Sequence, residues 1–176
     1  MNAEFNIGLI GLAGSGKDTA AAIICKRLKH KQLSFATKLK YICLTLGWDG
    51  QKDTKGRKLL QNIGMTFREY NPSTWITEVD NNLDSSMHHV FADVRFANEA
   101  EYIKNQLNGV IIRVVRPSLE ITETHQHVSE AGQDQIDVDY NVLNDGSFDD
   151  LETALMLVIN KEKTKRYASS SKQTKT

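Results

Sequence analysis

FNIGLIGLAGSGKDT, residues 5–19, sets the architecture of this chain. Residues 5–10 are almost continuously apolar, which is typical of a strand buried on both faces of a parallel sheet. A glycine-rich turn follows, and a helix is predicted to begin at Lys17. This order aims successive backbone N–H groups of the turn at one point, where the helix dipole also favours negative charge. The stretch therefore predicts an α/β domain with an anion site above its first strand.

The turn fits the pattern GxxxxGK from Gly11 to Lys17. Gly14 and Gly16 permit unusual dihedral angles and a close approach of the backbone, and Lys17 can bridge two phosphates as charge shifts between them. The alternative is a glycine-rich turn that only joins the strand to the helix, but the intact Gly-Lys pair in this context favours polyphosphate. We expect the phosphates of ATP to contact Ala13, Gly14, Ser15, Gly16, Lys17, Asp18 and Thr19.

Asp18 departs from the pattern, because Ser or Thr usually stands there and gives its hydroxyl to Mg²⁺. A carboxylate cannot reproduce that neutral ligand, and it lies close to the phosphate charge. Either Thr19 or a water molecule can take over the role of the hydroxyl. We expect Mg²⁺ to be held by Asp18, Thr19 and Asp93, directly or through water.

Further strands are predicted at 88–93 and 109–115, with a weaker candidate at 32–36 and an alternating, wetter one at 138–143. Helix-length segments lie at 17–30, 38–46, 55–70, 72–83, 97–107 and 149–161. This β-α alternation predicts a three-layer α/β/α fold with a five-stranded parallel sheet, and ligands bind at the carboxyl ends of such strands. Asn71 before Pro72, and Ser147 before Asp149, mark two helix starts.

A chain of 176 residues with 40% apolar residues is long enough for one packed domain and too short for two. We assign residues 1–162 to this domain, and 163–176, rich in Ser, Thr and Lys, to a disordered tail. Residues 117–137 form a long polar connection that is typical of a lid or binding loop. His125 and His127 within it lack the spacing of metal ligands, so a solvated loop is the preferred interpretation.

The 22 acidic and 22 basic side chains cancel, so the overall charge gives no reason to expect a polynucleotide partner. The N-terminus lacks a basic leader, and no apolar run approaches the roughly 20 residues needed to cross a bilayer. Cys25 and Cys43 lack CxxC spacing, which argues against a zinc site or disulfides and predicts two buried thiols. We expect a soluble, cytoplasmic protein without a membrane partner.

Asp93 and Arg95 follow a predicted central strand, at the end that faces the ligand crevice. A carboxylate there can hold a metal-bound water or orient an attacking oxygen, and the guanidinium can bind a phosphate bidentately. The alternative is an ion pair between Asp93 and Arg95 that closes the strand. We prefer the functional interpretation and expect Arg95 to contact substrate as well as the reacting phosphate.

Arg57, Gly64 and Arg68 share one helix face, since offsets of 7 and 11 residues fall near whole turns. The two guanidinium groups can clasp a substrate phosphate, while a solvated basic face is an equal alternative. Trp75 can stack on a nucleobase, although a large aromatic at a helix start more often packs on the core.

Arg113 and Arg116 lie in or just after a strand, and Arg116 is nearer the crevice end. Phosphoryl transfer needs cations around the equatorial oxygens, so we expect Arg116 to be catalytic. Asn144 opens the turn Asn-Asp-Gly before the last helix, which is either a plain turn or a frame for the adenine of ATP.

Seven segments resemble the phage-type deoxynucleoside monophosphate kinase family, a branch of the P-loop NMP kinases. They are GLAGSGKDTAA, SFATKLK, RKLLQNIGMTFREYNPSTW, DVRFANEAEYI, IIRVVRP, HVSE and NDGSFDDL, which run in family order over nearly the whole chain except its tail. GKDT, DVRFxNEA and NDGS are the more specific parts, because the loop alone is common to many unrelated NTPases.

The resemblance implies an ATP- and Mg²⁺-dependent kinase that converts a dNMP to a dNDP, with the cytoplasm of a host cell as its location if it is phage-encoded, and it leaves a homodimer open. Arg57, Arg68 and Trp75 would face the monophosphate, and Lys38 or Lys40 would reach its phosphate. Two rivals remain, since fold does not fix the acceptor. One is a kinase for another phosphorylated metabolite, of the phosphomevalonate kinase type, and the other is a non-catalytic nucleotide-binding adaptor.

Overall fold

The sheet of the computed structural model contains five parallel strands in the order β2-β3-β1-β4-β5, and the structure describes residues 5–120 and 132–173. Their bounds are β1 Ile7–Ile10, β2 Lys31–Leu33, β3 His89–Phe91, β4 Val110–Val115 and β5 Tyr140–Leu143. The five-stranded parallel sheet predicted from the sequence is confirmed. The central strand is β1, whose four residues are all buried, as the continuous apolar run requires.

Helices connect the strands in the expected alternation. They are α1 Lys17–Leu28, α2 Thr37–Thr45, α3 Thr54–Tyr70, α4 Thr74–Asp80, α5 Ala97–Glu101 and α6 Phe148–Gln173. A π-helical turn Tyr102–Gln106 continues α5, and a 3₁₀ turn Gly132–Gln135 precedes β5. Among the helices of the described ranges, none combines the length and the apolarity needed to span a membrane.

Two hydrophobic clusters cover the two faces of the sheet, and alternate residues of one strand enter different clusters. Leu9 belongs to the cluster under α1 and α6, and the next residue, Ile10, belongs to the cluster under α2, α4 and α5. Cys43 is buried in the second cluster, as predicted. Cys25 was expected to be buried as well, but it is only half-buried at the edge of the first cluster.

One predicted helix start is confirmed and the other is displaced. Ser147 and Asp150 cap α6 reciprocally: the Ser147 backbone N–H donates to an Asp150 carboxylate oxygen at 2.8 Å, and the Asp150 N–H donates to the Ser147 hydroxyl at 3.2 Å. Asn71 was expected to cap a helix beginning at Pro72, but α4 begins at Thr74. The Asn71 side chain instead accepts from the Ser73 N–H at 3.0 Å, so it closes the turn that precedes the helix.

The last helix runs through Gln173, into the segment predicted to be a disordered tail. Arg166 explains part of this extension, because its guanidinium donates to the Glu162 carboxylate and to the Asn108 carbonyl and packs over the ring of Phe5. These contacts tie the start of the polar segment to the folded domain. The larger part of the predicted lid, including His125 and His127, lies outside the described residues.

Candidate active site

The glycine-rich loop joins β1 to α1 in a conformation that depends on its glycines. Gly14 and Gly16 have φ angles of 85° and 101°, in the region that L side chains rarely adopt. A Cβ atom on Gly16 would also lie 2.3 Å from the Asn144 amide nitrogen. The loop is therefore a defined structure that leads directly into the N-terminus of α1, where backbone N–H groups and the helix dipole favour an anion.

Two side chains from distant elements hold this loop. The Asn144 amide donates to the Ser15 carbonyl at 2.9 Å, and the Gln133 side-chain oxygen accepts from the Gly11 N–H at 3.1 Å. Asn144 was predicted to be near ATP, and the structure places it against the loop. Gln133 was missed, because nothing in the sequence around residue 133 signals a contact 122 positions away.

Lys17 lies under the loop, with its ammonium donating to the carbonyls of Gly11 and Leu12. Burial and, to a smaller extent, the positive charge of Arg95 lower the pKa of Lys17, Asp18 and Asp93 oppose both effects, and the resulting pKa is about 8. The Lys17 amine is therefore mostly protonated at neutral pH, but its pKa is only slightly above that pH. An anion bound at the loop would restore a stronger preference for the charged form.

Asp93 lies at the carboxyl end of β3, as predicted, but its carboxylate is engaged by a neighbouring loop. It accepts from the Ser34 hydroxyl at 2.6 Å, from the Phe35 N–H at 3.1 Å and from the Ala36 N–H at 3.0 Å. These three bonds occupy most of the roughly four acceptor positions of a carboxylate. Asp93 therefore fixes the start of α2 at the site, and about one acceptor position remains for a water or ligand.

Arg57, Gly64 and Arg68 of α3 all line one cavity, so the predicted shared face points toward the site. The absence of a side chain at Gly64 also lets α3 pack closely on α2, because a Cβ atom there would lie 3.3 Å from a Leu39 methyl group. The Arg68 guanidinium donates to the Glu99 carboxylate at 2.5 Å and lies 3.9 Å from the ring centroid of Phe96. The alternative of a solvated basic face is wrong for Arg68, whose side chain is only 14% exposed.

The cavity that these residues share has a volume of about 520 Å³ and extends from the glycine-rich loop to α3. Its basic residues are Lys17, Lys40, Lys52, Arg57, Arg68, Arg95 and Arg116, and its acidic residues are Asp18, Asp93 and Glu99. Seven basic against three acidic residues give the cavity an excess of positive charge in a protein whose overall charge is zero. Such a cavity attracts an anion.

Burial lowers the pKa of Arg95, which is further lowered by Arg57 and Arg68 and raised by Asp93 and Glu99. The cations of this cavity thus repel one another, which a phosphate placed between them would relieve.

A second cavity, of about 270 Å³, adjoins the first on the side of β5 and α6. Thr19 and Arg116 line both cavities, and Asn144 and Phe148 line the second. Arg113 is placed differently: its guanidinium donates to the Asp134 carboxylate and the Gln133 carbonyl, each at 2.8 Å. Of Arg113 and Arg116, only Arg116 is among the cavity-lining residues within the described ranges.

Trp75, Lys38 and Lys40 differ in their relation to the cavity. Trp75 is 2% exposed and its indole N–H donates to the Gly64 carbonyl at 3.1 Å, so it packs in the core, although it is also among the residues that line the cavity. Lys40 lines the cavity, whereas Lys38 lies 3.6 Å from the Glu78 carboxylate. The sequence interpretation missed Phe96, Glu99 and Gln61, although DVRFANEA contains the first two.

The residues that could hold a metal are the exposed Asp18 and Thr19, both at the cavity beside Lys17. Their oxygen atoms suit Mg²⁺. Across residues 5–120 and 132–173, no three His, Cys, Asp or Glu side chains are grouped as a metal site. This arrangement fits Mg²⁺, which commonly keeps several waters and is bound through one or two side chains together with substrate phosphates.

Comparison with solved structures defines the class of the fold. A gluconokinase from Sinorhizobium meliloti 1021 matches with a TM-score of 0.57 at 9% identity, over 97% of this chain and 99% of that one. A shikimate kinase from Aquifex aeolicus VF5 matches with a TM-score of 0.51 at 13% identity, over 91% and 99% of the two chains. The chain therefore has the fold of the P-loop kinases.

Sequence comparison narrows this class. The family model for deoxynucleotide monophosphate kinase matches residues 56–155. A protein of Acanthamoeba polyphaga mimivirus, provisionally named a deoxynucleotide monophosphate kinase, is 32% identical over a region that covers 68% of this chain and 78% of the relative. The chain belongs to the deoxynucleotide monophosphate kinase family, a family of nucleotide-binding phosphotransferases.

Proposed function

We propose that this protein transfers the γ-phosphate of ATP to a deoxynucleoside monophosphate and releases ADP and the diphosphate. The observation that carries the proposal is that the glycine-rich loop and the cationic residues of α3 line the same cavity. A donor polyphosphate and an acceptor phosphate need such an arrangement of two anion sites with room for both.

The donor side is formed by Ala13 to Thr19 and the second cavity. The loop's backbone N–H groups and Lys17 would bind the β- and γ-phosphates, since the lysine would exchange its two carbonyl contacts for phosphate oxygens. The smaller cavity near Asn144 is large enough to receive part of the nucleoside. Its position beyond Thr19 is consistent with a base lying on the far side of the phosphates.

The acceptor side is formed by α3 and the residues that follow β3. Arg57, Arg68 and Arg95 would bind the monophosphate, and Lys40 adds a fourth positive charge on the same cavity. The apolar wall, which includes Trp75, would lie against the base. Gln61 lines this part of the cavity and carries an amide that can pair with the polar edge of a base.

The reaction would be an in-line displacement by positioned substrates, without a covalent enzyme intermediate. An oxygen of the acceptor phosphate would attack the γ-phosphorus, the bond from that phosphorus to the β–γ bridging oxygen would break, and ADP would leave. Lys17, Arg95 and Arg116 would stabilise the charge on the transferred group. Thr19 and Asp18, with Asp93 nearby, would hold Mg²⁺ directly or through water, and the ion would neutralise phosphate charge when bound.

The test is ADP release measured with each dNMP and NMP in the presence of ATP and Mg²⁺. We expect at least one dNMP to stimulate ADP release strongly and Lys17→Ala to abolish most of that stimulation while remaining folded. Lys26→Ala is the matched control, because Lys26 is an exposed residue of the same helix. If another phosphorylated metabolite is the acceptor, or if ATP binds without transfer to any acceptor, the proposal is wrong.

A further inference from the structure

A buried carboxylate belongs to the wall of the cavity on its acceptor side. Glu99, in the first turn of α5, is 1% exposed. One of its oxygens accepts from the backbone N–H of Arg95 at 2.8 Å and from that of Phe96 at 3.2 Å. The carboxylate therefore fixes the backbone on which Arg95 and Phe96 stand.

The other oxygen of Glu99 binds Arg68, a residue 31 positions earlier, at 2.5 Å. The same guanidinium lies over the Phe96 ring, whose backbone Glu99 also holds. Arg68 is thus fixed along one edge by a carboxylate and across one face by an aromatic ring. In the described part of the chain, its Nη1 is buried and has no hydrogen-bond partner.

A buried donor without a partner is costly in a protein, and its usual explanation is a ligand, an ion or a water. Nη1 belongs to a residue that lines the cationic cavity, so a ligand that enters this cavity can supply the missing acceptor. Arg68 would then bind Glu99 through Nη2 and a phosphate oxygen through Nη1.

We propose that Glu99 is a positioning residue that holds the Arg68 guanidinium on Phe96 with Nη1 directed at the acceptor phosphate. The inference rests on the proposed function, because it assumes that the acceptor carries a phosphate. It extends that function by assigning the geometry of the acceptor site to a residue that acts through Arg68. Preorganised charge of this kind avoids reorganisation when the substrate binds.

The electrostatics of Glu99 agree with this role. Burial raises the pKa of Glu99, Arg68 and the Arg95 N–H oppose that rise, and the resulting pKa is about 7. Burial of the Glu99 carboxylate is costly, and its hydrogen bond to Arg68 offsets part of that cost. Removal of the carboxylate would leave the Arg68 guanidinium without this partner.

Glu99→Gln is a sharp probe, because both oxygens of Glu99 accept hydrogen bonds. A glutamine keeps the shape but has one acceptor atom, so it must lose either Arg68 or the two backbone donors. Glu101→Gln is the matched control, since Glu101 is an exposed residue of the same helix. Folding of each variant is checked by thermal unfolding.

The first measurement is the KM for the acceptor dNMP and for ATP. For Glu99→Gln we expect kcat/KM for the acceptor to fall about 10- to 100-fold while KM for ATP changes less than about threefold, and for Glu101→Gln we expect wild-type values. Equal changes in both KM values, or no change, would overturn the positioning role. If Glu99→Gln is unfolded, Glu99→Asp gives the same comparison, because the shorter side chain cannot reach both sets of donors.

The second measurement separates action through Arg68 from a general structural effect. In an Arg68→Ala background, Glu99→Gln should change the acceptor KM by less than about twofold, because the residue through which Glu99 acts is absent. Additive effects of the two substitutions on the acceptor KM would overturn the proposal.

A third measurement keeps this inference separable from the proposed function. Calorimetric titration with a dNMP, and with inorganic phosphate alone, requires no turnover. Weaker binding by Glu99→Gln than by wild type would support the positioning role even if no nucleotide is phosphorylated. Wild-type protein that binds neither probe, or variant protein that binds both as wild type does, would overturn it.

Discussion

Asn144 donates from its side-chain amide to the carbonyl of Ser15 at 2.9 Å, across 129 positions of sequence. Its backbone N–H donates to the Val115 carbonyl at 2.7 Å, so the same residue also joins the carboxyl ends of β5 and β4. Asn144 thus connects the glycine-rich loop to the end of the sheet where the two cavities meet. The absence of a side chain at Gly16 is what leaves room for this contact.

Asn144→Asp should weaken ATP binding with little loss of folding. The substitution replaces an N–H donor by an oxygen that cannot donate to the Ser15 carbonyl when ionised, so the loop loses one support. We expect KM for ATP to rise about 5- to 20-fold, which corresponds to the roughly 1–2 kcal/mol of one lost hydrogen bond with an unsatisfied partner. Steady-state kinetics at saturating acceptor measure this change.

Asn141→Asp is the control for added charge, since Asn141 is an exposed residue of the same strand. Its KM for ATP should match that of wild type. An unchanged KM for ATP in Asn144→Asp would show that the amide contact does not support the loop.

ATP binding should weaken as the pH rises through the pKa of Lys17, which burial lowers to about 8 in the free protein. Below that pH the amine is charged and binds phosphate, whereas above it the proton must be taken up on binding. We expect the Kd for ATP to rise about tenfold between pH 7 and pH 9, as measured by calorimetry. In Lys17→Arg, whose side chain stays protonated, this alkaline loss should disappear; the same loss in both proteins would assign it to another group.

Substitution of Arg116 should mainly lower kcat, whereas substitution of Arg113 should mainly lower the free energy of unfolding. Arg116→Ala should lower kcat by about 100-fold or more at an unchanged unfolding temperature, because its exposed side chain lines both cavities. Arg113→Ala should lower the free energy of unfolding by about 1–3 kcal/mol with a much smaller effect on kcat, since its guanidinium binds Asp134 and Gln133. Kinetics and urea unfolding of both variants test this contrast, and a reversal would exchange the two roles.

Stability should fall in mild acid because His89 is buried at 0% exposure. Both ring nitrogens lack a hydrogen-bond partner within the described residues, and burial lowers the pKa of His89 below its ordinary value of about 6.5. The unfolded chain therefore binds the proton first as the pH falls below about 6.5, and the free energy of unfolding decreases there.

Glu99 titrates in the opposite sense over part of this range, because its raised pKa favours the folded state at lower pH. The comparison is therefore made between wild type and His89→Leu, by urea unfolding at pH 7.5 and pH 5.5. The loss on acidification should be smaller in the variant. Equal losses in the two proteins would show that His89 does not contribute.

The order of elements and the type of sheet could be predicted from the sequence, because both follow from local patterns. The continuous apolar run before Gly11 requires a strand buried on both faces, and β1 is the central strand. The pairing of Gly and Lys in that context predicted the loop. Element boundaries were less accurate, as the start of α4 at Thr74 shows, because local hydrogen bonds of Asn71 decide it.

Contacts between distant side chains could not be predicted, because no local pattern encodes them. Arg68 was recognised on its helix face, but its carboxylate partner Glu99 is on another helix, in a segment that otherwise resembles an ordinary helix start. Asp93 was placed correctly at a strand end, yet its three donors come from the loop after β2. Such partners become visible only when the sheet order brings the segments together.

By itself, the sequence determined a parallel α/β sheet with a glycine-rich turn above its first strand, since periodicity and glycine placement act within a few residues. The tertiary structure decided which charges face that turn: it directs Arg116 to the cavity and Arg113 to Asp134, and it ties Arg68 to Glu99. The physical reason is that Coulomb and hydrogen-bond energies depend on distances in space, and these distances are fixed only when the strands pair and the helices pack.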